Sequence, residues 1–496
     1  KGHLFQTDSD TEVLVHGFEA WGQELPKKLD GQFAFVVFTK ENGEFLASRD
    51  PFGIKPLHFA RVGKTWFFAS ELKQLVPFAK EIELVKPGHL ITRQSIKQFY
   101  FLPKKEIQDY LPRVLDRIRF LFDESVKKRV QTDLPVAVFL SGGLDSTAIL
   151  AAARKFHDNV TAITIGKDWQ SEASDAKHAE RFCKENKIPL IHLEPPNEKE
   201  LFQLVPEIVK ITESFEPNMI KQSVLSFHLA KLAGKKGFKV VLCGEGADEI
   251  FCGYPEFLNC TPEKRQILSW QFFTNLHQTQ LQRVDRTSMR QTVEVRVPFM
   301  DVQFVEYCLN LPSELKVKNG ITKWVLRKAF EDRLPDFIVN RKKVVLSEGM
   351  GLKGNSLVDG LFTGLIEPLV SDKELKTLQN KFPQFKLQTK EEAFYFKFFL
   401  QCGFHKLKSE ERPLVNQVAS VNKNQALAAV DCKVSQVLET FKRRRFRRCQ
   451  PRFEKELISR LRHFIERDQP IKLVGFWGIG SKKQVLGRPY YLPVSG

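Results

Sequence analysis

The sequence predicts an α/β protein: a β-rich segment over residues 1–100, then a parallel sheet flanked by helices over residues 101–410. Three observations predict it. Between Pro135 and Glu249, short apolar runs alternate with helical stretches, the pattern of βαβ units. The first hundred residues carry apolar or alternating runs broken by Gly and Pro, the pattern of strands and turns. Beyond about residue 260 the apolar spacing becomes mostly helical.

Each element can be read in turn. QFAFVVFTK (32–40), GEFLASRD (43–50) and TWFFASE (65–71) read as strands, with RDPFGIKPL (49–57) as a loop between two of them. PVAVFL (135–140) is a continuous apolar run, as expected of a parallel strand buried on both faces. STAILAAARKFH (146–157) is a helix, VTAITIG (160–166) a strand, SDAKHAERFCKEN (174–186) a helix and PLIHLEP (189–195) a strand. FKVVLCGEGADEI (238–250) repeats the scheme of a strand followed by an acidic loop. Residues 411–452 read as a linker that becomes basic, and 453–496 as the start of a further domain. That last region holds a basic helical stretch (453–468) and a strand entering a Gly turn, PIKLVGFWGIG (470–480).

Composition narrows the classes. The chain has 496 residues, room for roughly two to four domains of about 150 residues. No apolar run approaches the roughly 20 residues that cross a bilayer. The opening KGHLFQTDSD is polar, without a signal-peptide core, and lacks Met, so a fragment is expected. Eight scattered cysteines form no CxxC pair, which points to a reducing cytoplasm rather than a disulfide or zinc scaffold. The net charge of +18 is densest in FKRRRFRRCQPRF (441–453), which is either a solvated basic face or a polyanion-binding patch.

Two loops carry chemistry. Ser141-Gly142-Gly143-Leu144-Asp145-Ser146 sits between a strand and a helix. Its glycines let the backbone approach an anion, and the helix N-terminus supplies N–H groups and partial positive charge. The spacing is not the Walker GxxxxGK[ST]; it matches the pyrophosphate loop of enzymes that cleave ATP between its α and β phosphates. The second loop is Cys243-Gly244-Glu245-Gly246-Ala247-Asp248-Glu249. Ligand sites lie at the carboxyl ends of parallel strands, so Asp248 belongs on the same edge as Asp145. Two converging carboxylates need a cation between them, and Mg²⁺ suits oxygen ligands. Read without that context, the two loops are a capped Gly turn and a solvated acidic turn.

SGGLDS (141–146), GEGADEIFCGY (244–254), VDRTSMRQTVEVRVPFMD (284–301), KWVLRKAF (323–330), LPDFIVNRKK (334–343), SEGMG (347–351) and TKEEAFYFKFFL (389–400) occur in this order. Together they resemble the synthetase domain of glutamine-using asparagine synthetases. Upstream, FQTDSDTEVLVHGFEAWG, LDGQFAFVVF and RDPFGIKPLHF resemble the second half of that family's glutaminase domain. The resemblance implies part of an Ntn-type glutaminase fold followed by a PP-loop, adenine-nucleotide α-hydrolase-like domain. It also implies a ligase that activates L-aspartate with ATP and Mg²⁺ as β-aspartyl-AMP and amidates it with ammonia, releasing AMP and pyrophosphate. The family's nucleophile is an N-terminal Cys, whereas the first Cys here is Cys183. Glutamine is therefore expected as a nitrogen source only where that front half exists. A tunnel carrying ammonia between the domains is a family expectation, and a homodimer is a candidate assembly.

Residue by residue, the resemblance implies Lys343 as the cation facing the α-phosphorus and Glu213 as the base that takes the ammonia proton. Ser141, Gly142, Gly143, Asp145, Ser146, Gly244, Glu245 and Gly246 would cradle the phosphates, with Asp145 and Asp248 on the metal. Ile165 and Gly166, in the strand end from Ile163, would meet adenine, and Asp175 would lie near the nucleotide. Asp10 matches the clamp for the glutamine amino group. Arg286, Glu294 and Arg296 match the central helix motif, as substrate contacts or as a structural ion-pair network. Without the alignment, Lys343 reads as a surface lysine and Glu213 as a helix carboxylate.

Two other readings compete. β-Lactam synthetases share the adenylation chemistry but use a Tyr–Glu pair, and Glu213 rather than Tyr stands at the corresponding place. Lasso-peptide cyclases and sugar-amide transferases share the fold, which alone does not choose among them. A non-catalytic binding protein with a basic tail is the reading from a different class; the retained Ser141, Asp145, Ser146, Asp248, Glu213 and Lys343 weigh against it.

Overall fold

Alternation dictates how the first strand is covered. In the computed structural model, Ala34–Thr39 is a strand whose Ala34 and Val36 join Phe45, Ala47, Phe59 and Trp66 in one core. Its Phe35 and Val37 join Leu14, Leu25, Phe33 and Leu46 in another. Successive strand side chains point to opposite faces, so both faces need a partner. One is the small antiparallel sheet of Thr65–Ala69, His58–Val62 and Glu83–Leu84. The other is helix Asp10–Trp21, absent from the β-rich sequence reading and started by Ser9, whose hydroxyl accepts the Thr11 N–H at 3.2 Å.

The structure describes residues 3–7, 9–166, 174–341, 362–404 and 471–473. They belong to one compact unit, 1–411 with 471–496; a second unit, 412–470, lies outside them. Lys343, SEGMG, the basic run 441–453 and the stretch 453–468 also lie outside the described residues. Of the strand expected over 470–480, Ile471–Leu473 is described; it pairs antiparallel with Ala34–Thr39, Leu473 opposite Val37. Among the described residues, no helix is long and apolar enough to cross a membrane.

The second sheet positions the chemistry. Leu190–Leu193, Val160–Ile165, Val136–Phe139, Val240–Leu242 and Glu294–Arg296 lie side by side in that order. Every neighbouring pair is parallel. Val136–Phe139 is first in the chain and central in the sheet. The chain adds two strands on one side, crosses over, then adds two on the other, so the switch point falls between Val136–Phe139 and Val240–Leu242. Ligands bind parallel sheets at such a point, and both glycine loops leave from it. Val136, Ala137 and Val138 are wholly buried, which accounts for the unbroken apolar run.

Of RDPFGIKPL (49–57), Arg49 ends strand Phe45–Arg49 and residues 50–57 are a loop, as expected, and a buried one. Arg49 donates to the carbonyls of Lys55, Val85 and Gly53 at 2.7, 2.9 and 2.7 Å. Asp50 accepts the N–H groups of Phe52, Ile54 and Lys55 at 3.2, 2.9 and 2.9 Å. These bonds satisfy a backbone that water cannot reach. Phe52 and Ile54 enter the main core, and Lys55 Nζ reaches Asp285 Oδ1 at 2.8 Å. The loop thus joins the β-rich segment to the parallel-sheet region.

Candidate active site

The first loop is held open by its own hydroxyls. Ser146 Oγ accepts the Ser141 N–H at 3.1 Å and lies 3.1 Å from Ser141 Oγ. Gly143 caps helix Leu144–Phe156, which puts the free N–H groups of its first turn at the loop. Gly142 has φ +64, and a Cβ there would stand 2.7 Å from the Asp175 carbonyl oxygen. Glycine is therefore required at 142 on two independent grounds.

The two acidic residues do converge. Asp248 lies on the short helix Ala247–Phe251 rather than in a loop, with Gly246 as its N-cap, and Gly244 packs against the Asp145 side chain. Between the carboxylates stands a cation that the sequence reading did not single out. Lys323 Nζ is 2.5 Å from Asp145 Oδ2 and 2.6 Å from Asp248 Oδ1, and its side chain is 3% exposed. It opens KWVLRKAF as the left-handed N-cap of helix Trp324–Phe330. Its stem passes Gly253 so closely that a Cβ there would lie 2.2 Å from Lys323 Cε. The signal in the sequence was the lysine at the head of a motif already noted. Asp145 Oδ1 is also buried without a hydrogen-bond partner. A carboxylate oxygen left over beside a second carboxylate is a hard-oxygen donor set that fits Mg²⁺.

Glu213 sits elsewhere on the same scaffold. It is the left-handed C-cap of helix Val205–Thr212, at φ +55, and its side chain is 1% exposed. Its carboxylate accepts the N–H groups of Leu72 and Lys73 at 2.9 and 2.8 Å. Arg286 Nη2 lies 3.2 Å from Glu213 Oε2, and Arg286 Nη1 lies 3.3 Å from Glu71 Oε1. Burial raises the Glu213 pKa, while Arg286 and Lys73 pull it down. Helix Gln280–Met289 ties this cluster to the second loop. Arg283 Nη2 reaches Glu245 Oε1 at 2.5 Å, and Arg286 follows three residues later, about 4.5 Å along the helix axis. Gln282 on the same helix donates to the Thr212 carbonyl at 2.8 Å.

The other expected residues divide. Ile165 ends its strand and Gly166 follows it; the Gly166 N–H donates to the Leu193 carbonyl at 3.1 Å, which fixes that edge of the sheet. Asp175 starts helix Asp175–Glu185 and takes Arg341 Nη2 on Oδ1 at 2.7 Å, while Arg341 Nη1 donates to the Ser141 carbonyl at 3.0 Å. Arg341, quoted in the sequence only within LPDFIVNRKK (334–343), therefore bridges the first loop to Asp175. Glu294 and Arg296 pair at 2.8 Å, and Arg296 Nη1 donates to the Arg129 carbonyl at 2.7 Å. Glu294 and Arg296 thus form the ion pair that one of the two readings expected. Asp10 heads helix Asp10–Trp21 in the β-rich segment.

A glycine loop at the switch point of a 3-2-1-4-5 parallel sheet, with carboxylates from two strand ends, defines a PP-loop, adenine-nucleotide α-hydrolase-like domain. The Asparagine synthase family model matches residues 117–271 and 261–396, and the Glutamine amidotransferase domain model matches residues 1–77. A probable asparagine synthetase (glutamine-hydrolyzing) from Dictyostelium discoideum is 31% identical over 80% of this chain and 76% of its own. Asparagine synthetases (glutamine-hydrolyzing) from Sandersonia aurantiaca and Zea mays are 29% and 31% identical, covering 83% and 82% of this chain and 81% and 71% of theirs. The chain belongs to the asparagine synthetase family of ligases.

Proposed function

We propose that the protein converts L-aspartate to L-asparagine with ATP, through β-aspartyl-AMP, taking its nitrogen from ammonia. Glutamine would serve only where a cysteine nucleophile is present. The observation that carries this reading is the convergence of Asp145 and Asp248 beside the glycine loop, with Lys323 between them at 2.5 and 2.6 Å.

In the first step, a β-carboxylate oxygen of aspartate attacks the α-phosphorus and pyrophosphate departs. The Gly142–Ser146 backbone and the first turn of helix Leu144–Phe156 receive phosphate oxygens. Asp145 and Asp248 would hold Mg²⁺, which supplies neutralisation of the triphosphate charge. Lys323 bridges the two carboxylates at 2.5 and 2.6 Å. Arg341 ties the loop to Asp175, two residues before Lys343, which we assign to the charge developing at the α-phosphorus. Ile165 and Gly166 are assigned to the adenine edge.

In the second step, ammonia attacks the acyl carbon, gives a proton to Glu213 and expels AMP. Burial raises the pKa of this carboxyl, as suits a base working near neutral pH. Asp10 is assigned to binding glutamine, and we place the chain in the cytoplasm.

The test is formation of AMP and asparagine from ATP, Mg²⁺ and L-aspartate, with ammonium and glutamine supplied separately. AMP and asparagine with ammonium support the reading. AMP without asparagine would overturn the acceptor assignment and the role of Glu213; no AMP under any supply would overturn the whole proposal.

A further inference from the structure

We infer that helix Asp10–Trp21 and the segment before it form a binding site for a borderline divalent cation of the Zn²⁺ class, made by His3, His16 and Glu19. Among the described residues these three form a cluster whose candidate ligand atoms all lie within 4.8 Å of one another. The site is apart from Asp145 and Asp248 and does not depend on the proposed reaction.

Three observations carry the inference. The first is geometric. Glu19 Oε2 lies 3.3 Å from His3 Nδ1 and 3.4 Å from His16 Nδ1. Ligands at 2.0–2.1 Å from a tetrahedral zinc are separated by about 3.3 Å, so two edges of the tetrahedron already have their length. The second is the far side of His16. Its Nε2 lies 3.2 Å from Glu12 Oε1, so a carboxylate stands ready to take the Nε2 proton when a cation occupies Nδ1. A metal-bound imidazole has this carboxylate behind it as a rule. The third is that Glu12 is itself fixed. It accepts the N–H groups of Gln6 and Thr7 at 2.6 and 2.7 Å and the Thr7 hydroxyl at 2.5 Å. Those bonds fix the Glu12 carboxylate beside His16. They also dock residues 6 and 7, and with them the strand of chain that carries His3, onto the helix.

Two imidazoles, one from the helix and one from the segment before it, and one helix carboxylate leave the fourth position to water. Such a set suits zinc better than Mg²⁺, which prefers oxygen alone. Bound there, the cation would pin residues 3–7 to the helix that begins at Asp10.

The test uses the full chain without a histidine tag, stripped with chelator and titrated at neutral pH with Co²⁺, then Zn²⁺. Wild type is expected to show the intense visible absorption of tetrahedral cobalt at one equivalent, displaced by zinc. His16→Ala is expected to lose that equivalent, and Glu19→Gln to weaken it. Glu12→Gln, which touches only the outer partner, is expected to weaken it about 10–100-fold. Thermal melting of each variant without metal shows whether it folds, and Glu19→Gln decides the matter if His16→Ala does not. Identical titrations for wild type and Glu19→Gln would overturn the site and leave His3, His16 and Glu19 as a simple ion-pair cluster.

Discussion

Arg286 and Glu213 meet at 3.2 Å with both side chains almost closed to solvent. The same guanidinium also faces Glu71 at 3.3 Å. One cation thus holds the proposed base of the parallel-sheet region against the backbone of Leu72 and Lys73 in the β-rich segment.

Glu213→Gln is expected to keep ATP–pyrophosphate exchange with aspartate and to lose asparagine formation by about 10²–10⁴-fold, the usual worth of a positioned base. Equal losses in both assays would remove Glu213 from the ammonia step.

Arg286→Gln takes away a charge that lowers the Glu213 pKa. With that charge gone the carboxyl titrates higher, so the acid limb of the ammonia-dependent rate should move to higher pH. Leaving the carboxylate without its ion partner should also cost about 3 kcal/mol in urea unfolding. An unchanged pH profile would show that Arg286 braces the fold without tuning the base.

Lys323→Met leaves Asp145 and Asp248 facing each other without a fixed cation. Added Mg²⁺ should then raise the melting temperature of the variant more than that of the parent. A smaller rise in the variant would argue that the two carboxylates do not share a metal.

Lys316 is wholly buried, with Nζ donating to the Leu309 carbonyl at 2.8 Å. Burial lowers its pKa from 10.5 to about 8, against the opposing pull of Cys252 and Cys308. The unfolded lysine therefore holds its proton more tightly than the folded one. The resulting penalty is full below pH 8 and fades as pH rises to 10.5. Lys316→Met should be more stable by about 2–3 kcal/mol at pH 7, with the gain shrinking over that window. The Leu309 carbonyl would still accept from Gln266 Nε2 at 3.1 Å. Equal stabilities at pH 7 and pH 10 would show that the buried amine carries no penalty.

How much of the site could be read in advance depends on distance along the chain. The Ser141–Ser146 loop was legible because its causes are local: two glycines, a capping serine and the start of a helix. The convergence of Asp145 and Asp248 was legible because parallel strands all deliver their following loops to one edge. Helix Asp10–Trp21 was not, because Val13, Leu14 and Val15 run together and blur the helical period, although Leu14 and Phe18 are the ones that join the core.

The sequence by itself determined the strand–loop–helix units, their parallel arrangement and the requirement for a cation between two carboxylates. Tertiary structure decided which protein cation stands there. Lys323 lies 178 residues from Asp145, and Arg341 lies 200 residues from Ser141. Buried charge demands a partner of opposite sign, but that demand does not say which of 77 lysines and arginines packing will bring to it. Only the closed fold selects Lys323 for Asp145 and Asp248, Arg341 for Asp175, and Arg286 for Glu213.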